Sequence, residues 1–129
     1  MSVLLDTHFL IWGAVAPDRI PASAKDLLVE PDAPITFSMA SIWEVAIKAS
    51  LGKPDFSVDP SRLRLGLLDR DFQELQIKSE HLYEIQSLPH HHRDPFDRLL
   101  IAQARVEGLA FITCDKQLSL YGDPVRLSV

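Results

Sequence analysis

The sequence has 129 residues, of which 47% are hydrophobic, and its formal net charge at pH 7 is −5. This length fits one domain, residues 1–129, with enough apolar content to form a core. The negative charge argues against a protein that holds nucleic acid by surface charge alone, because phosphate contacts are made mainly by Lys and Arg. It does not exclude a nuclease, because divalent cations bound in an acidic cleft present positive charge to phosphate.

The chain lacks the sequence features of membrane and secreted proteins. No apolar stretch approaches the roughly 20 residues of a membrane helix, and the N-terminus enters a strand without the pattern of a signal peptide. Cys114 is the single cysteine, so an internal disulfide is excluded. No positive charge lies beside it in sequence, which favours a small buried residue over a nucleophile. We expect a cytoplasmic protein with no membrane partner.

The first half of the chain predicts alternating strands and helices. An apolar strand at 3–5 precedes a helix that closes at Ala16-Pro17, and a second helix at 21–30 is ended by Pro31. A strand at 35–37 leads to Ser38, a suitable N-cap for a helix at 39–51 that Gly52 closes. In this helix the spacing i, i+3, i+4, i+7 predicts the core face. Its residues are Ile42, Val45, Ala46 and Ala49.

The second half continues the alternation. Asp59-Pro60 opens a helix to about Asp71, and Asp94-Pro95 opens the longest helix, which Gly108 ends. Between them we predict a strand at 74–77 and a helix at 80–87, and after them strands at 110–113 and 125–127. Strands that alternate with helices predict an α/β fold. We expect a central, mainly parallel sheet of four to five strands, flanked by helices on both faces.

Acidic residues follow predicted strands or lie near the starts of predicted helices at four distant places. In an open α/β sheet the carboxyl ends of the strands form the ligand crevice, so acids placed there converge. Converging carboxylates repel one another, and a divalent cation between them keeps them ionised. Each acid taken alone is more simply a cap, a turn residue or a solvated side chain, but one metal site explains all four. The four are Asp6, Glu44, Asp97 and Asp115.

Three polar residues beside these acids are possible accessory residues. Asp94 precedes Pro95 at the start of the longest helix, so helix capping is its favoured role. Thr7 and Thr113 stand one and two residues from an acid, where a hydroxyl either orients a carboxylate or a water molecule or serves a turn. These alternatives remain open from the sequence.

The histidine run and the aromatic residues have plain structural interpretations. Three consecutive histidines, 90–92, cannot all face one ion, and structural zinc is disfavoured because no matching Cys or second His pair exists. His91 or His92 could meet phosphate near the cleft, but a solvated loop is the simpler reading. Phe9, Trp12 and Trp43 lie within apolar helix faces and are predicted to be core residues, not stacking platforms.

Four segments together resemble the acidic motifs of the PIN-domain family, in the family's order, over residues 2–128. The likeness is especially close to VapC-like toxins of bacterial toxin–antitoxin pairs. The triple histidine is no part of that pattern. The segments are Asp6-Thr7 after a three-residue apolar strand, SIWEVAIK from Ser41, HRDPFDRLLIAQA from His92, and Thr113-Cys114-Asp115.

The resemblance implies a PIN-like fold and a Mg²⁺- or Mn²⁺-dependent endoribonuclease held inactive by a cognate antitoxin. Asp6 and Asp97 would be the principal metal ligands, completed by Glu44 and Asp115 directly or through water. Metal-activated water would hydrolyse the RNA phosphodiester bond and leave a 5′-phosphate and a 3′-hydroxyl. The resemblance also implies a homodimer. We expect the antitoxin to carry a basic segment that pairs with the acids.

Other functions remain as alternatives. A catalytically silent PIN-like binding module would keep the fold without chemistry, although all four acids are present. A receiver-type phosphoacceptor domain needs an acid after a mid-chain strand, and Asp55 follows no apolar run. A nuclease acting on DNA would use the same acids, but the short chain favours RNA. A groove for the antitoxin is expected on the helix faces near Ile11, Trp12, Ile42 and Ile47.

Overall fold

The fold is described from a computed structural model over residues 2–29 and 34–128. Its centre is a five-stranded sheet in which every neighbouring pair of strands is parallel. The strand order is β3-β2-β1-β4-β5. The predicted parallel α/β sheet is therefore confirmed. The strands are β1 (Val3–Leu5), β2 (Ile35–Ser38), β3 (Gln73–Leu75), β4 (Ala110–Thr113) and β5 (Val125–Leu127).

Six α-helices and two short 3-10 helices connect the strands within the described ranges. The α-helices are α1 (Thr7–Val15), α2 (Ala22–Val29), α3 (Met39–Ser50), α4 (Pro60–Asp69), α5 (Ser79–Ile85) and α6 (Pro95–Glu107). The 3-10 helices are Pro17–Arg19 and Lys116–Tyr121. Over the same residues, no helix has the length and apolar character needed to cross a membrane.

Each face of the sheet is buried under a different set of helices. Alternate residues of a strand point to opposite faces, so Val3 and Leu5 join a core with α1, α3 and α4. Leu4 and Phe111 point the other way, into a second core filled by α6. Strands buried on both faces explain the continuous apolar runs at β1 and β4.

The middle of α6 is tied to the sheet by a buried amide. Gln103 is fully buried, and its Oε1 accepts a hydrogen bond of 2.5 Å from Ser38 Oγ at the end of β2. Its Nε2 lies 3.2 Å from Nδ1 of the buried His81 on α5. Ser38 also caps α3 by accepting from the Ala40 amide at 2.9 Å, as its position in the sequence predicts. The start of α3 and the middle of α6 are thereby fixed against one another.

Several predicted boundaries are shifted in the structure. The strand predicted at 74–77 is formed by Gln73–Leu75, and the helix predicted at 80–87 spans Ser79–Ile85. The helix predicted to reach about Asp71 ends at Asp69, because Asp71 adopts a positive φ of 64° that breaks the helix. The predicted ending of the second helix at Glu30 and Pro31 lies outside the described residues. Neither of the two 3-10 helices was predicted from the sequence.

The order of the strands defines a crevice. The chain runs outward from β1 through β2 to β3, then returns to place β4 on the other side of β1. Ligands of open parallel sheets bind where the strand order reverses in this way, outside the carboxyl ends of the strands. That point lies between β1 and β4, the strands that Asp6 and Asp115 follow. In receiver-type domains the first and third strands are neighbours, so this topology argues against the receiver alternative.

Candidate functional site

Asp6 lies at the bottom of the crevice and is held by three groups. It is 1% exposed and caps α1, where its Oδ1 accepts from the His8 amide at 3.4 Å. Thr113 Oγ1 donates to Asp6 Oδ2 at 2.6 Å, so the end of β4 orients the acid at the end of β1. Of the roles left open by the sequence for Thr113, the structure shows the orientation of a carboxylate. The His8 ring also approaches, with Nδ1 3.6 Å from Oδ1, and this contact raises the pKa of His8.

Asp97 lies in the first turn of α6 and faces the same crevice. It is 7% exposed. Burial, together with the charges of Asp6, Asp94 and Glu44, raises the pKa of its carboxyl group to about 8. Desolvation disfavours the charged form of a carboxyl group, and nearby carboxylates add to that effect. The raised pKa marks a cluster of acids whose negative charge His8 offsets only in part.

Glu44 reaches the crevice from α3 with one oxygen paired and one free. Its Oε2 lies 3.2 Å from Lys48 Nζ, one turn along the helix. Its Oε1 is buried and has no hydrogen-bond partner among residues 2–29 and 34–128. A buried carboxylate oxygen without a partner is energetically unfavourable, so this atom is suited to a ligand that the protein alone does not supply.

Asp115 completes the group and brings a histidine with it. Asp115 caps the 3-10 helix Lys116–Tyr121, and its carboxylate is 38% exposed at the rim. His92 Nε2 lies 3.5 Å from Asp115 Oδ2, and His92 Nδ1 lies 3.8 Å from Asp97 Oδ2. One ligand atom from each of these three residues lies within 4.8 Å of the others. Asp6 and Glu44 are not in that group of three, but both are near enough to raise the pKa of Asp97, so the four predicted acids lie at one edge of the sheet.

The other predicted accessory residues are in contact with different groups. Thr7 Oγ1 pairs with Ser41 Oγ at 2.8 Å and is 1% exposed, so it joins α1 to α3 beneath the acids. Asp94 caps α6, where its Oδ1 accepts from the amides of Phe96 at 2.8 Å and Asp97 at 3.3 Å. Asp94 thus fixes the helix turn that carries Asp97.

Two sequence interpretations near the site are wrong. Trp43 is 53% exposed, not a core residue, and its ring packs edge-on against Phe96 with centroids 4.8 Å apart. His92 is 16% exposed and contacts two acids, so it is not a solvated loop residue.

Phe9 is buried as predicted, and Trp12 is partly buried against the same core. Cys114 is half-buried, and burial and Asp6 raise the pKa of its thiol, which agrees with an unreactive residue.

A groove was predicted near Ile11, Trp12, Ile42 and Ile47, but Ile11 and Ile42 are buried, Trp12 is partly buried and Ile47 is 40% exposed, so the four do not form one exposed surface. An apolar groove of about 680 Å³ lies instead between α1 and α4. Arg62 and Arg70 stand on its rim. Its floor includes Phe9, Leu10, Gly13, Leu63, Gly66 and Leu67.

A comparison with protein families matches the PIN domain over residues 3–123. The chain belongs to the PIN-domain family. This membership agrees with the resemblance of the four acidic segments, and it places Asp6, Glu44, Asp97 and Asp115 within the matched PIN region. None of the curated proteins compared with this PIN domain matches it.

Solved structures share the fold of this PIN domain at low sequence identity. A chain of VapBC2 from Rickettsia felis, solved with a DNA fragment from the promoter, aligns with a TM-score of 0.70 and 14% identity over 99% of this chain and 98% of that one. A toxin–antitoxin complex from Klebsiella pneumoniae aligns with a TM-score of 0.68 and 20% identity, over 96% of this chain and 95% of that one. VapBC-5 from Mycobacterium tuberculosis aligns with a TM-score of 0.63 and 19% identity, over 99% of this chain and 98% of that one.

His8 is a neighbour of the site that was not predicted from the sequence. It directly follows Asp6-Thr7, and the first turn of α1 turns its ring back toward the acid. The signal was its position two residues after a capping aspartate. That position alone does not predict contact with the site, because a histidine on an apolar helix more often has another role.

Proposed function

We propose that this PIN domain is a Mg²⁺- or Mn²⁺-dependent endoribonuclease that acts in the cytoplasm as the toxin of a toxin–antitoxin pair. The observation that carries the proposal is the group of four carboxylates at the topological switch point. Glu44 Oε1 is buried without a partner there, and the pKa of Asp97 is raised to about 8. Such a group calls for a cation of charge two or more.

The side chains at this site fit a hard divalent cation. Asp6, Glu44, Asp97 and Asp115 offer carboxylate oxygens, the donors that Mg²⁺ and Mn²⁺ prefer. We assign Asp6 and Asp97 as the principal ligands, and Glu44 and Asp115 as ligands that complete the site directly or through water. When bound there, the cation would neutralise charge that develops on the phosphate and would activate the attacking water.

The remaining residues keep these carboxylates in position. Thr113 restricts Asp6 through its 2.6 Å hydrogen bond, and Asp94 fixes the turn of α6 on which Asp97 stands. Lys48 holds one oxygen of Glu44 and leaves the other free for a ligand. No protein nucleophile is needed, because water in line with the leaving oxygen would give a 5′-phosphate and a 3′-hydroxyl.

The partner part of the proposal rests on the family and on its solved relatives. Structural neighbours include toxin–antitoxin complexes, so we assign this chain a cognate antitoxin, and from the family resemblance a homodimeric state. The antitoxin would carry a basic segment, because Arg or Lys pairs with the same carboxylates that hold the metal. The groove between α1 and α4 would anchor an apolar part of the same partner.

The test is cleavage of single-stranded RNA by wild type, Asp97→Asn and Asp26→Asn in Mn²⁺, Mg²⁺ or EDTA. Asp26 is exposed on α2 and gives a matched loss of one acid away from the cluster. We expect wild type and Asp26→Asn to cleave with either metal and to stop in EDTA. Asp97→Asn should lose at least about 100-fold in rate, because a principal ligand is removed. Millimolar Mn²⁺ should also raise the melting temperature of the wild type.

Two results would contradict the proposal. Cleavage that survives thorough chelation rules out the metal mechanism, and Asp97→Asn cleaving at the wild-type rate rules out the assigned site. The alternative of a catalytically silent binding module predicts binding of Mn²⁺ without cleavage by any variant. A single-stranded DNA of the same sequence serves as the substrate control, and equal cleavage of both would replace the ribonuclease by a general nuclease.

A further inference from the structure

His92 stands between two acids of the site, on the loop that leads into α6. Its side chain is 16% exposed, and its two ring nitrogens face different carboxylates. Nε2 lies 3.5 Å from Asp115 Oδ2, whereas Nδ1 lies 3.8 Å from Asp97 Oδ2. By distance alone, His92 is either a metal ligand beside Asp97 and Asp115 or a residue that holds these two acids in position. The hydrogen bonds of the ring separate these two roles.

The backbone of the next turn fixes which nitrogen carries the proton. The amide N–H of Asp94 donates to His92 Nδ1 at 3.1 Å. A neutral imidazole has one nitrogen with a lone pair and one with a hydrogen. Because Nδ1 accepts a hydrogen bond from the Asp94 amide, Nδ1 is the nitrogen with the lone pair. The hydrogen of the neutral ring is therefore on Nε2. Asp115 Oδ2 lies 3.5 Å from Nε2, which is close enough for a contact with this N–H.

Neither nitrogen is then available to bind a metal ion. A metal ligand must offer a lone pair, and the lone pair of Nδ1 is engaged by the Asp94 amide. Resting on the proposed metal site, we propose that His92 is a positioning residue whose Nε2–H holds the Asp115 carboxylate toward the metal, and that His92 itself does not bind the metal. Carboxylate ligands are commonly oriented by such hydrogen-bond donors.

The loop that carries His92 is anchored from both sides of the site. The His92 amide donates to the Tyr121 hydroxyl at 3.1 Å, and Arg98 Nη1 donates to the same oxygen at 3.3 Å. Arg98 is 9% exposed and also binds the carbonyl of Pro89 at 3.0 Å. Gln117 Nε2 donates to the carbonyl of His91 at 2.8 Å.

These anchors connect the loop to the two elements that bear the acids. Arg98 belongs to α6, next to Asp97, and Tyr121 belongs to the 3-10 helix that Asp115 caps. The loop therefore moves with the acids instead of independently of them. Such fixed placement is what a positioning role requires, because a donor on a free loop would not restrict a carboxylate.

The test measures Mn²⁺ binding directly, by the loss of the free-ion signal in electron paramagnetic resonance, for four proteins. Wild type is compared with His92→Leu, which removes the donor, and with His92→Gln, whose amide retains an N–H. His90→Leu is the matched control, because His90 is an exposed member of the same run. We expect His92→Leu to bind Mn²⁺ about 10-fold more weakly, as typical for loss of a partner of a metal ligand. His92→Gln should recover most of the affinity, and His90→Leu should match the wild type.

A second measurement separates positioning from ligation. Electron spin echo modulation of the wild-type Mn²⁺ complex should show no directly bound nitrogen. A nitrogen coupling that disappears in His92→Gln overturns the proposal and makes His92 a ligand, while the proposed nuclease function stands. Equal affinity of His92→Leu and His90→Leu also overturns it. If the wild type binds no Mn²⁺ at all, the metal step of the proposed function fails with it. The spectrum of the wild type decides the ligand question even if His92→Leu does not fold.

Discussion

Asp97 is the residue whose environment most affects both stability and chemistry. Without metal, its carboxyl group is buried beside three other acids, and its pKa is raised to about 8. In the unfolded chain the same group loses its proton near pH 4. Between these values the folded state binds more protons than the unfolded state, so the free energy of unfolding falls as the pH rises.

We therefore expect metal-free wild type to lose stability from about pH 4 to about pH 8, with Asp97→Asn losing less. At pH 8 the variant should be more stable than the wild type by at least about 1 kcal/mol, because a neutral amide replaces a repelled carboxylate. Urea unfolding in EDTA at pH 5 and pH 8 measures the difference. Asp26→Asn is the control and should follow the wild type. An equal pH slope for Asp97→Asn and wild type would contradict the burial of charge at this position.

The four acids were recognisable from the sequence, whereas the histidines around them were not. Asp6 and Asp115 follow apolar strands, so parallel-sheet topology alone predicts that they meet. His92 has no such signal, because its contacts depend on the path of a loop and on the backbone amide of Asp94. Trp43 was misread for a related reason. An apolar residue on a helix predicts burial only when the helix has a neighbour on that side.

At the scale of elements, the start of α6 determines where Asp97 stands. Asp94 accepts from two amides of the first turn, and Pro95 occupies the position where no amide is needed. We expect Asp94→Ala to reduce the free energy of unfolding by about 1 kcal/mol. Asp94→Asn should change it little and should retain much of the RNA cleavage, because Asn also caps helices.

Urea unfolding and a cleavage assay on the same preparations check this expectation. If Asp94→Asn keeps its stability but loses cleavage, the charge of Asp94 takes part in the metal site beyond its role as a cap. If Asp94→Ala is as stable as the wild type, the two hydrogen bonds to Asp94 contribute nothing measurable.

The elements with strong apolar patterns were predicted closely, whereas β3 was shifted and the 3-10 helix Lys116–Tyr121 was missed. The apolar strands β1 and β4 and the capped helices α3 and α6 lie within a residue of their predicted bounds. β3 consists of Gln73, Glu74 and Leu75, and its place in the sheet comes from pairing with β2, which no local pattern shows. The 3-10 helix Lys116–Tyr121 buries Leu118 alone, too little for a periodic signal.

For the whole molecule, the groove between α1 and α4 offers a test of the partner that does not touch the acids. A Cβ atom added at Gly66 meets no atom within 4 Å, so a larger residue can begin there without a clash and extend into the groove. We expect Gly66→Trp to fill the groove and prevent neutralisation by the cognate antitoxin, while RNA cleavage is unchanged. Gly66→Ala is the matched control, since it makes the same backbone change without the bulk.

Coexpression with the antitoxin followed by growth measures this outcome. Growth arrest by Gly66→Trp, with rescue of Gly66→Ala and wild type, supports the groove as the anchoring surface. Rescue of Gly66→Trp shows that the antitoxin binds elsewhere. In that case, an antitoxin that lacks its basic segment tests charge pairing with the acids separately. Rescue of growth by this shortened antitoxin would contradict charge pairing.

The position of β1 at the centre of the sheet has a consequence for how the protein is made. β1 is the first strand to leave the ribosome, yet Val3 pairs with Ala110 and Leu5 with Ile112 on one side. Asp6 receives its hydrogen bond from Thr113, which is synthesised more than a hundred residues later. Contacts so distant in sequence form late, because a long loop must first be closed. A chain released from the ribosome before Thr113 would lack part of β4 and Asp115, so the four acids of the proposed site could not come together.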